Sequence, residues 1–158
     1  MAMLDSVKAL RTARKTSLIV ADVLKNVTQA QATGATDGPD GWNVLFILCH
    51  MHDYEMILAE RVNCILREDN PTLPAMNNTA LIESRRYAER NLAEELEGCV
   101  RKRHDLITKL EGLDAVAWTR RGVHPVQGEG SLVDVVINAG LHDVDHTEQI
   151  IRVLATSN

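Results

Sequence analysis

Apolar residues recur every three or four positions along most of the chain, which is the pattern of amphipathic α-helices rather than of β-strands. This spacing predicts a first helix over residues 3–31. Its apolar positions are Leu4, Val7, Leu10, Leu18, Ala21 and Leu24. The segment from Ala32 to Gly41 contains Gly, Pro and Asp residues that break a helix, so we expect the first helix to end before it.

A second and a third helix follow from the same spacing. Asp40 is the expected N-cap of the second helix, which extends to about Arg67. The segment Asn70–Asn78 contains two prolines and separates it from a third helix, Thr79–Glu111. Gly112 is expected to end the third helix.

The last helix is preceded by a long connection, Ala115–Gly130, which repeats no helical or strand period. Ser131 with Asp134 three residues later resembles a capping box, and the helix then continues to about Thr156. Four helices of this length in a chain of 158 residues predict an all-α fold, a four-helix bundle that forms a single domain over residues 1–158.

The composition agrees with a helical fold. The chain is 45% hydrophobic but only 3% aromatic, and it contains nine Gly and four Pro. A β-sandwich or barrel needs more aromatic and β-branched residues and more turns than this, so both folds are disfavoured.

Charge, cysteine usage and hydropathy limit the partners and the cell compartment that we expect for this protein. The net charge of −5, without a basic block, disfavours a nucleic-acid partner. No stretch approaches the roughly 18 apolar residues of a membrane span, so we expect no membrane association. Three cysteines without a C-x-x-C pair suit a reducing compartment, and we expect a cytoplasmic protein.

The fourth helix carries the first candidate site, His142 and His146. Residues four apart lie on one helix face, so both imidazoles can reach one metal ion. They share that face with apolar residues, which directs both side chains into the bundle. The apolar residues on this face are Leu132, Val135, Ala139, Ile150 and Val153. Two hydrogen-bonded histidines in the core are the alternative interpretation.

A metal ion would need a third ligand from another helix, and the second helix offers His50 and His52. These two lie near opposite edges of its apolar stripe, roughly 160° apart by helical geometry, so they cannot both ligate one ion. The residues alone leave the choice between them open.

Three segments together resemble the DinB/YfiT-like superfamily. Trp42, His50 and Asp53 match its W-x(7)-H-x-x-D pattern, and residues 142–150 match its H-D-x-D-H-x-x-Q-I pattern. The segment 118–128, Trp-Thr-Arg-Arg-Gly-Val-His-Pro-Val-Gln-Gly, is similar to the loop that precedes the last helix in that family. The resemblance covers roughly residues 40–155.

The resemblance implies a four-helix bundle with a divalent metal, usually nickel or zinc, held by three histidines. Carried over by position, the ligands are His50, His142 and His146. Three imidazoles leave an open coordination position, which is typical of a catalytic site. The family further implies a thiol-dependent S-transferase or isomerase that uses a low-molecular-weight thiol and a small electrophilic substrate. As a further partner we expect a second copy of the chain, in a homodimer.

Other polar residues near these motifs are candidates for supporting roles. Asp53 and Asp143 are expected on inner helix faces, where they could orient the histidines or transfer a proton. Arg120 and Arg121 could bind a carboxylate of the thiol or substrate. Trp118, like Trp42, is expected to form a wall of the metal pocket or to hold the loop across its mouth.

Two alternatives to the transferase remain. One is a metal-dependent hydrolase, and the other is a non-catalytic, stress-related protein that only binds metal or dimerises. Phe46 stands where many family members have Glu, one turn before the histidine of the second helix, and this difference favours the non-catalytic alternative.

Overall fold

This computed structural model describes residues 2–156, with side chains from Asp5 onward. The side chain of Leu4, which the sequence assigns to the apolar stripe, and the extreme ends of the predicted domain lie outside the described part. The elements in chain order are α1 (Ala2–Leu24), α2 (Gln29–Gly34), α3 (Val44–Arg67), α4 (Asn78–Arg85), a 3₁₀ turn (Tyr87–Glu89), α5 (Leu92–Glu111), α6 (Ala115–Thr119), β1 (Arg121–His124), β2 (Gly128–Ser131) and α7 (Leu132–Ala155).

The four long helices form the predicted bundle. Helices α1 and α3 both pack against α5 and α7, so each long helix has two neighbours. The interior is built from aliphatic side chains on these helices, among them Leu58, Val62, Leu110 and Val136, each at most 1% exposed. The four-helix-bundle prediction is confirmed, and α3 and α7 are direct neighbours.

The first two helix boundaries differ from the prediction. The first helix ends at Leu24 rather than at residue 31. Thr28 then starts α2, because its hydroxyl accepts a hydrogen bond from Gln31 N and the Gln31 side chain accepts one from Thr28 N. Asn43, not Asp40, is the N-cap of α3, and its Oδ1 accepts from Phe46 N at 2.9 Å.

The predicted third helix, Thr79–Glu111, is interrupted. Its first part is α4, which ends at Arg85 and is followed by Arg86 in the left-handed conformation with φ 52°. The second part, α5, begins after Asn91, whose side chain accepts a hydrogen bond from Glu94 N. A capping side chain thus competes with the continuing helix at this point, although the apolar spacing runs through it.

The connection before α7, predicted without regular structure, contains the short helix α6 and an antiparallel hairpin of β1 and β2. Val123 also pairs with the segment after α3: its N donates to Pro71 O at 2.8 Å, and its O accepts from Leu73 N at 2.9 Å. The hairpin is therefore held to the end of the bundle by backbone hydrogen bonds. Within residues 2–156, no helix combines the length and the hydropathy that crossing a membrane requires.

Candidate metal centre

His50, His142 and His146 lie together between two neighbouring helices. Helix α3 supplies His50, and α7 supplies the other two from successive turns. One ring nitrogen from each histidine lies within 4.8 Å of the other two. His50 Nε2 and His142 Nε2 are 2.9 Å apart. We call these three residues the histidine cluster.

The dimensions of the histidine cluster fit a small transition-metal ion. Zinc–imidazole bonds of about 2.0–2.1 Å put two nitrogens of a tetrahedral site roughly 3.3 Å apart, so a small outward rotation of the rings would suffice. His50 Nδ1 and His142 Nδ1 are buried and form no hydrogen bond with any described residue. Polar nitrogens left without hydrogen bonds do not suit two histidines that serve only to stabilise the core.

Burial keeps two of these imidazoles neutral. It lowers the pKa of His50 to about 4, with the neighbouring His146 adding to the effect. Burial likewise lowers the pKa of His142 to about 2, and His146 and His50 contribute further. A neutral imidazole has a free lone pair, so no proton need leave these two rings before a metal binds.

His146 is oriented by a chain of hydrogen bonds on the outer side of its ring. His146 Nδ1 lies 2.9 Å from Gln149 Oε1, and Gln149 Nε2 donates to Asp37 Oδ2 at 2.9 Å. Because Gln149 uses its amide nitrogen on Asp37, its oxygen faces the imidazole and Nδ1 must be the protonated nitrogen. Nε2 is then free to ligate. Arg152 holds Asp37 from the other side.

The sequence patterns missed these supporting roles. Gln149 lies in the helix-four motif, three residues after His146, and helical spacing could have indicated its contact. Asp37 lies in the loop before α3 and carries no comparable sequence signal. The loop brings Asp37 within reach because Asp37 N donates to Trp42 O at 3.0 Å.

His52 points away from the histidine cluster. Its Nδ1 lies 2.6 Å from Glu95 Oε2 on α5. Gly98 provides the space for this ring, since a Cβ on that residue would lie 2.4 Å from His52 Cε1. The two α3 histidines that the sequence left open therefore face different helices: His50 faces α7 and His52 faces α5.

The two candidate aspartates belong to buried networks that involve none of the three clustered histidines. Asp53 accepts a hydrogen bond from the Tyr87 hydroxyl at 2.6 Å and lies 3.2 Å from Arg85 Nη1. Asp143 accepts from Arg103 Nη1 at 2.7 Å and from the Thr16 hydroxyl at 2.5 Å. The structure thus places both carboxylates beside the site without hydrogen-bonding them to it.

A cavity of about 440 Å³ opens beside the histidine cluster. Its wall combines apolar and polar side chains from α3, α7, the hairpin and the segment leading into α4. They are His50, Tyr54, Arg61, Met76, Asn78, His124, Gln127, Asn138, Leu141, His142 and Asp145. The Tyr54 ring stacks on His142 with centroids 3.8 Å apart, which holds that imidazole against the wall.

The remaining sequence candidates lie elsewhere. Arg120 donates to Ile65 O and to Glu68 O, both at 2.6 Å, at the C-terminal end of α3. Arg121 pairs with Glu129 across the hairpin at 3.1 Å. These two arginines therefore do not line the cavity.

The two tryptophans have different surroundings. Trp118 is 4% exposed within the aliphatic core and is not brought to the histidines. Trp42, in contrast, lies beside His50, with ring centroids 5.2 Å apart. Phe46, one turn before His50, packs edge-on against Tyr87 with ring centroids 5.6 Å apart.

Comparison with known proteins places this geometry in context. A family model described as the DinB superfamily matches residues 9–150. Among solved structures, YfiT from Bacillus subtilis, described as a probable metal-dependent hydrolase with an unusual four-helix bundle topology, superposes with a TM-score of 0.85. The alignment covers 96% of this chain and 86% of that chain at 16% identity, a level that speaks for the fold alone. No curated protein matches the sequence.

Proposed function

This chain belongs to the DinB superfamily, and we propose that it is a metal-dependent enzyme that holds one divalent transition metal ion, nickel or zinc, through His50, His142 and His146. The observation that carries the proposal is the convergence of one nitrogen from each histidine beside an open cavity. Three protein ligands leave room for a further ligand, as in catalytic zinc sites. When bound, such an ion lowers the pKa of a water or thiol toward neutrality and so supplies a nucleophile.

We infer that the nucleophile comes from outside the chain. Tyr54 lines the cavity, but burial raises the pKa of its hydroxyl. No described residue lining the cavity is a Ser, Thr, Cys or Lys. Cys49 precedes His50 in the chain, but it is fully buried and its pKa is raised to about 12, first by burial and then by Glu95. A thiol in that state is a poor nucleophile.

We propose that a low-molecular-weight thiol is the external nucleophile and that the reaction is S-transfer to, or isomerisation of, a small electrophile. Thiolate is a ligand that zinc and similar metals bind well. The cavity pairs the histidines with the apolar side chains of Met76 and Leu141, a wall that suits an electrophile with an apolar body. We place this reaction in the cytoplasm, where the three free cysteines would stay reduced.

Hydrolysis is the second candidate, with water as the nucleophile. It is favoured by the structural similarity to YfiT, which is described as a probable metal-dependent hydrolase. The two reactions are separated by supplying the metal-loaded protein with one activated ester or halide and measuring product with and without an added thiol. Turnover that depends on the thiol supports S-transfer, and turnover without it supports hydrolysis. Loaded protein that does neither would support the non-catalytic alternative.

Elemental analysis of untagged protein tests the metal site. We expect about one equivalent of metal in the wild type. His142→Ala should hold less than about a tenth of an equivalent, because it removes one of the three ligands. The control His52→Ala should keep its metal. His52→Ala is a matched control on α3 because His52 faces Glu95 instead of the cluster. A wild type that takes up no nickel or zinc after reconstitution would refute the site, and loss of metal in His52→Ala alone would refute the ligand choice.

We further propose a homodimer through the outer face of α1 and α7. Ile19, Val144 and Ile151 are each about half exposed there and border an open groove. Clustered apolar side chains of this kind mark association surfaces. Sedimentation should give a dimer that Val144→Glu converts to a monomer, whereas a monomeric wild type would contradict the proposal.

A further inference from the structure

Arg61 is a buried cation that faces the cavity. Its side chain comes from α3, three turns after His50, and it is only 5% exposed. Its Nε donates to Pro74 O at 3.0 Å, which fixes the guanidinium against the segment after α3. The guanidinium carbon lies 5.7 Å from the centre of the Tyr54 ring, and the same ring stacks on His142. Tyr54 thus connects the cation to the histidine cluster.

Arg61 has no carboxylate partner among the described residues. The other deeply buried arginine, Arg103, is paired with both Glu55 and Asp143. Arg85, also partly buried, is paired with Asp53 and Glu95. Burying a charge without a counter-charge is costly, and folded proteins rarely keep such a group without a reason.

The electrostatics of the cavity favour binding of an anion. The pKa of Arg61 is lowered from its ordinary value, chiefly because burial disfavours the cation, and Tyr54 only partly offsets this. The charge of Arg61 also contributes, after burial, to the lowered pKa of His124, which lines the cavity. Among the described residues that line the cavity, Asp145 is the single acidic one, and it is exposed and makes no ion pair with Arg61.

We infer that Arg61 binds the carboxylate of a small co-substrate whose other end reaches the histidine cluster; this inference rests on the proposed function of that cluster. The Nη1 and Nη2 groups of a guanidinium can form two parallel hydrogen bonds to one carboxylate. One cation balances one negative charge, which a carboxylate carries and a phosphate monoester exceeds. The amides of Asn78, Gln127 and Asn138 line the same cavity and supply neutral polar contacts along the molecule.

Two thiols of the same length test the inference. 4-Mercaptobutyrate and 4-mercaptobutyramide share the thiol and the chain and differ in the negative charge. We expect the zinc-loaded wild type to bind the carboxylate at least about tenfold more tightly, the effect of one charge-assisted hydrogen bond. Dissociation constants from calorimetry are the readout, with zinc content measured on every sample.

Variants then assign the preference to Arg61. Arg61→Gln should reduce the preference to about onefold, and Arg61→Lys should keep part of it, because lysine retains the charge without the planar fork. Arg67→Gln is the matched control, since Arg67 lies on the same helix but is exposed and paired with Glu60. It should keep the wild-type preference. Thermal unfolding checks that each variant folds.

The outcomes separate this inference from the proposed function. Equal binding of both thiols by zinc-loaded wild type would overturn the role of Arg61 and leave the metal site intact. A carboxylate preference that persists in Arg61→Gln would assign the anion to another group, and it would also overturn the inference. Absence of zinc from the wild type would refute the metal site itself.

Discussion

Replacement of Asp143 by Asn separates a structural role for this residue from a role in the metal site. Asp143 follows His142 in the chain, but its carboxylate lies between α1 and α5. There Oδ2 accepts from Arg103 Nη1 at 2.7 Å and from Thr16 at 2.5 Å, while Oδ1 accepts from Arg103 Nη2 at 3.1 Å. Asn keeps the shape of the side chain and removes the charge.

The size of the effect follows from these contacts. Arg103 is 2% exposed and retains Glu55, so Asp143→Asn halves its counter-charge without leaving it bare. Because Glu55 still compensates Arg103, we expect a loss smaller than the roughly 3–5 kcal/mol that an unpaired buried charge costs. The charge-assisted hydrogen bonds that are removed are worth about 2–3 kcal/mol. For a domain of this size that corresponds to a melting temperature lower by roughly 10 °C. If the bonds serve stability alone, the folded variant should bind metal with the wild-type affinity.

Urea unfolding of the metal-free protein measures the loss of stability, and zinc titration at low temperature measures the affinity of the folded variant for metal. Glu148→Gln is the control on the same helix, since its pair with Arg152 is exposed and screened by solvent, so its loss should leave the stability nearly unchanged. A variant with unchanged stability but a more than tenfold weaker affinity for zinc would refute the reasoning. It would show that Asp143 acts on the neighbouring histidine.

Two further predictions concern the histidines. Gln149→Leu should weaken zinc binding about 10–100-fold without removing a ligand, because the His146 ring loses the hydrogen bond that orients it. Asp37→Asn, one hydrogen bond further out, should have a smaller effect. If chelator competition shows an unchanged zinc affinity for Gln149→Leu, the orienting role is contradicted. The metal-free protein should lose stability as the pH falls from about 6.5 toward 4. His50 should contribute about 1.4 kcal/mol per pH unit to this loss. The reason is that His50, with its pKa lowered to about 4, stays neutral in the folded protein while the same side chain binds a proton in the unfolded chain. Urea unfolding at several pH values should show a flatter profile for His50→Gln, and identical profiles would contradict the assigned burial effect.

The sequence predicted the parts of the fold that depend on periodicity. The apolar spacing located the helical segments, and the spacing of four between His142 and His146 placed both on one face of α7. It could not locate the breaks at Thr28 and Asn91, because there a capping side chain outweighs a helical pattern that continues past it. The hairpin was missed because its strands are short, glycine-rich and without alternation.

The candidate site, like the fold, could be predicted from the sequence only in part. The choice between His50 and His52 depends on which neighbouring helix each face of α3 meets, and helical geometry alone contains no information about that. Arg61 is one of many charged residues in the sequence, and only the packed structure reveals that it lacks a counter-charge. Asp37 is brought to Gln149 by a loop whose course the sequence did not indicate. Such long-range contacts arise from tertiary packing, which a pattern within one helix does not encode.

The backbone pairing between Val123 and the Pro71–Leu73 segment has an evolutionary consequence. The hairpin and the segment after α3 are joined by two main-chain hydrogen bonds, which do not depend on the identity of the side chains. The exposed side chains of these segments can therefore change without loss of this pairing, whereas Leu73, which is buried against Gly122, is constrained. Exchanging the hairpin for that of a relative is therefore a direct way to alter the cavity wall, to which it contributes His124 and Gln127.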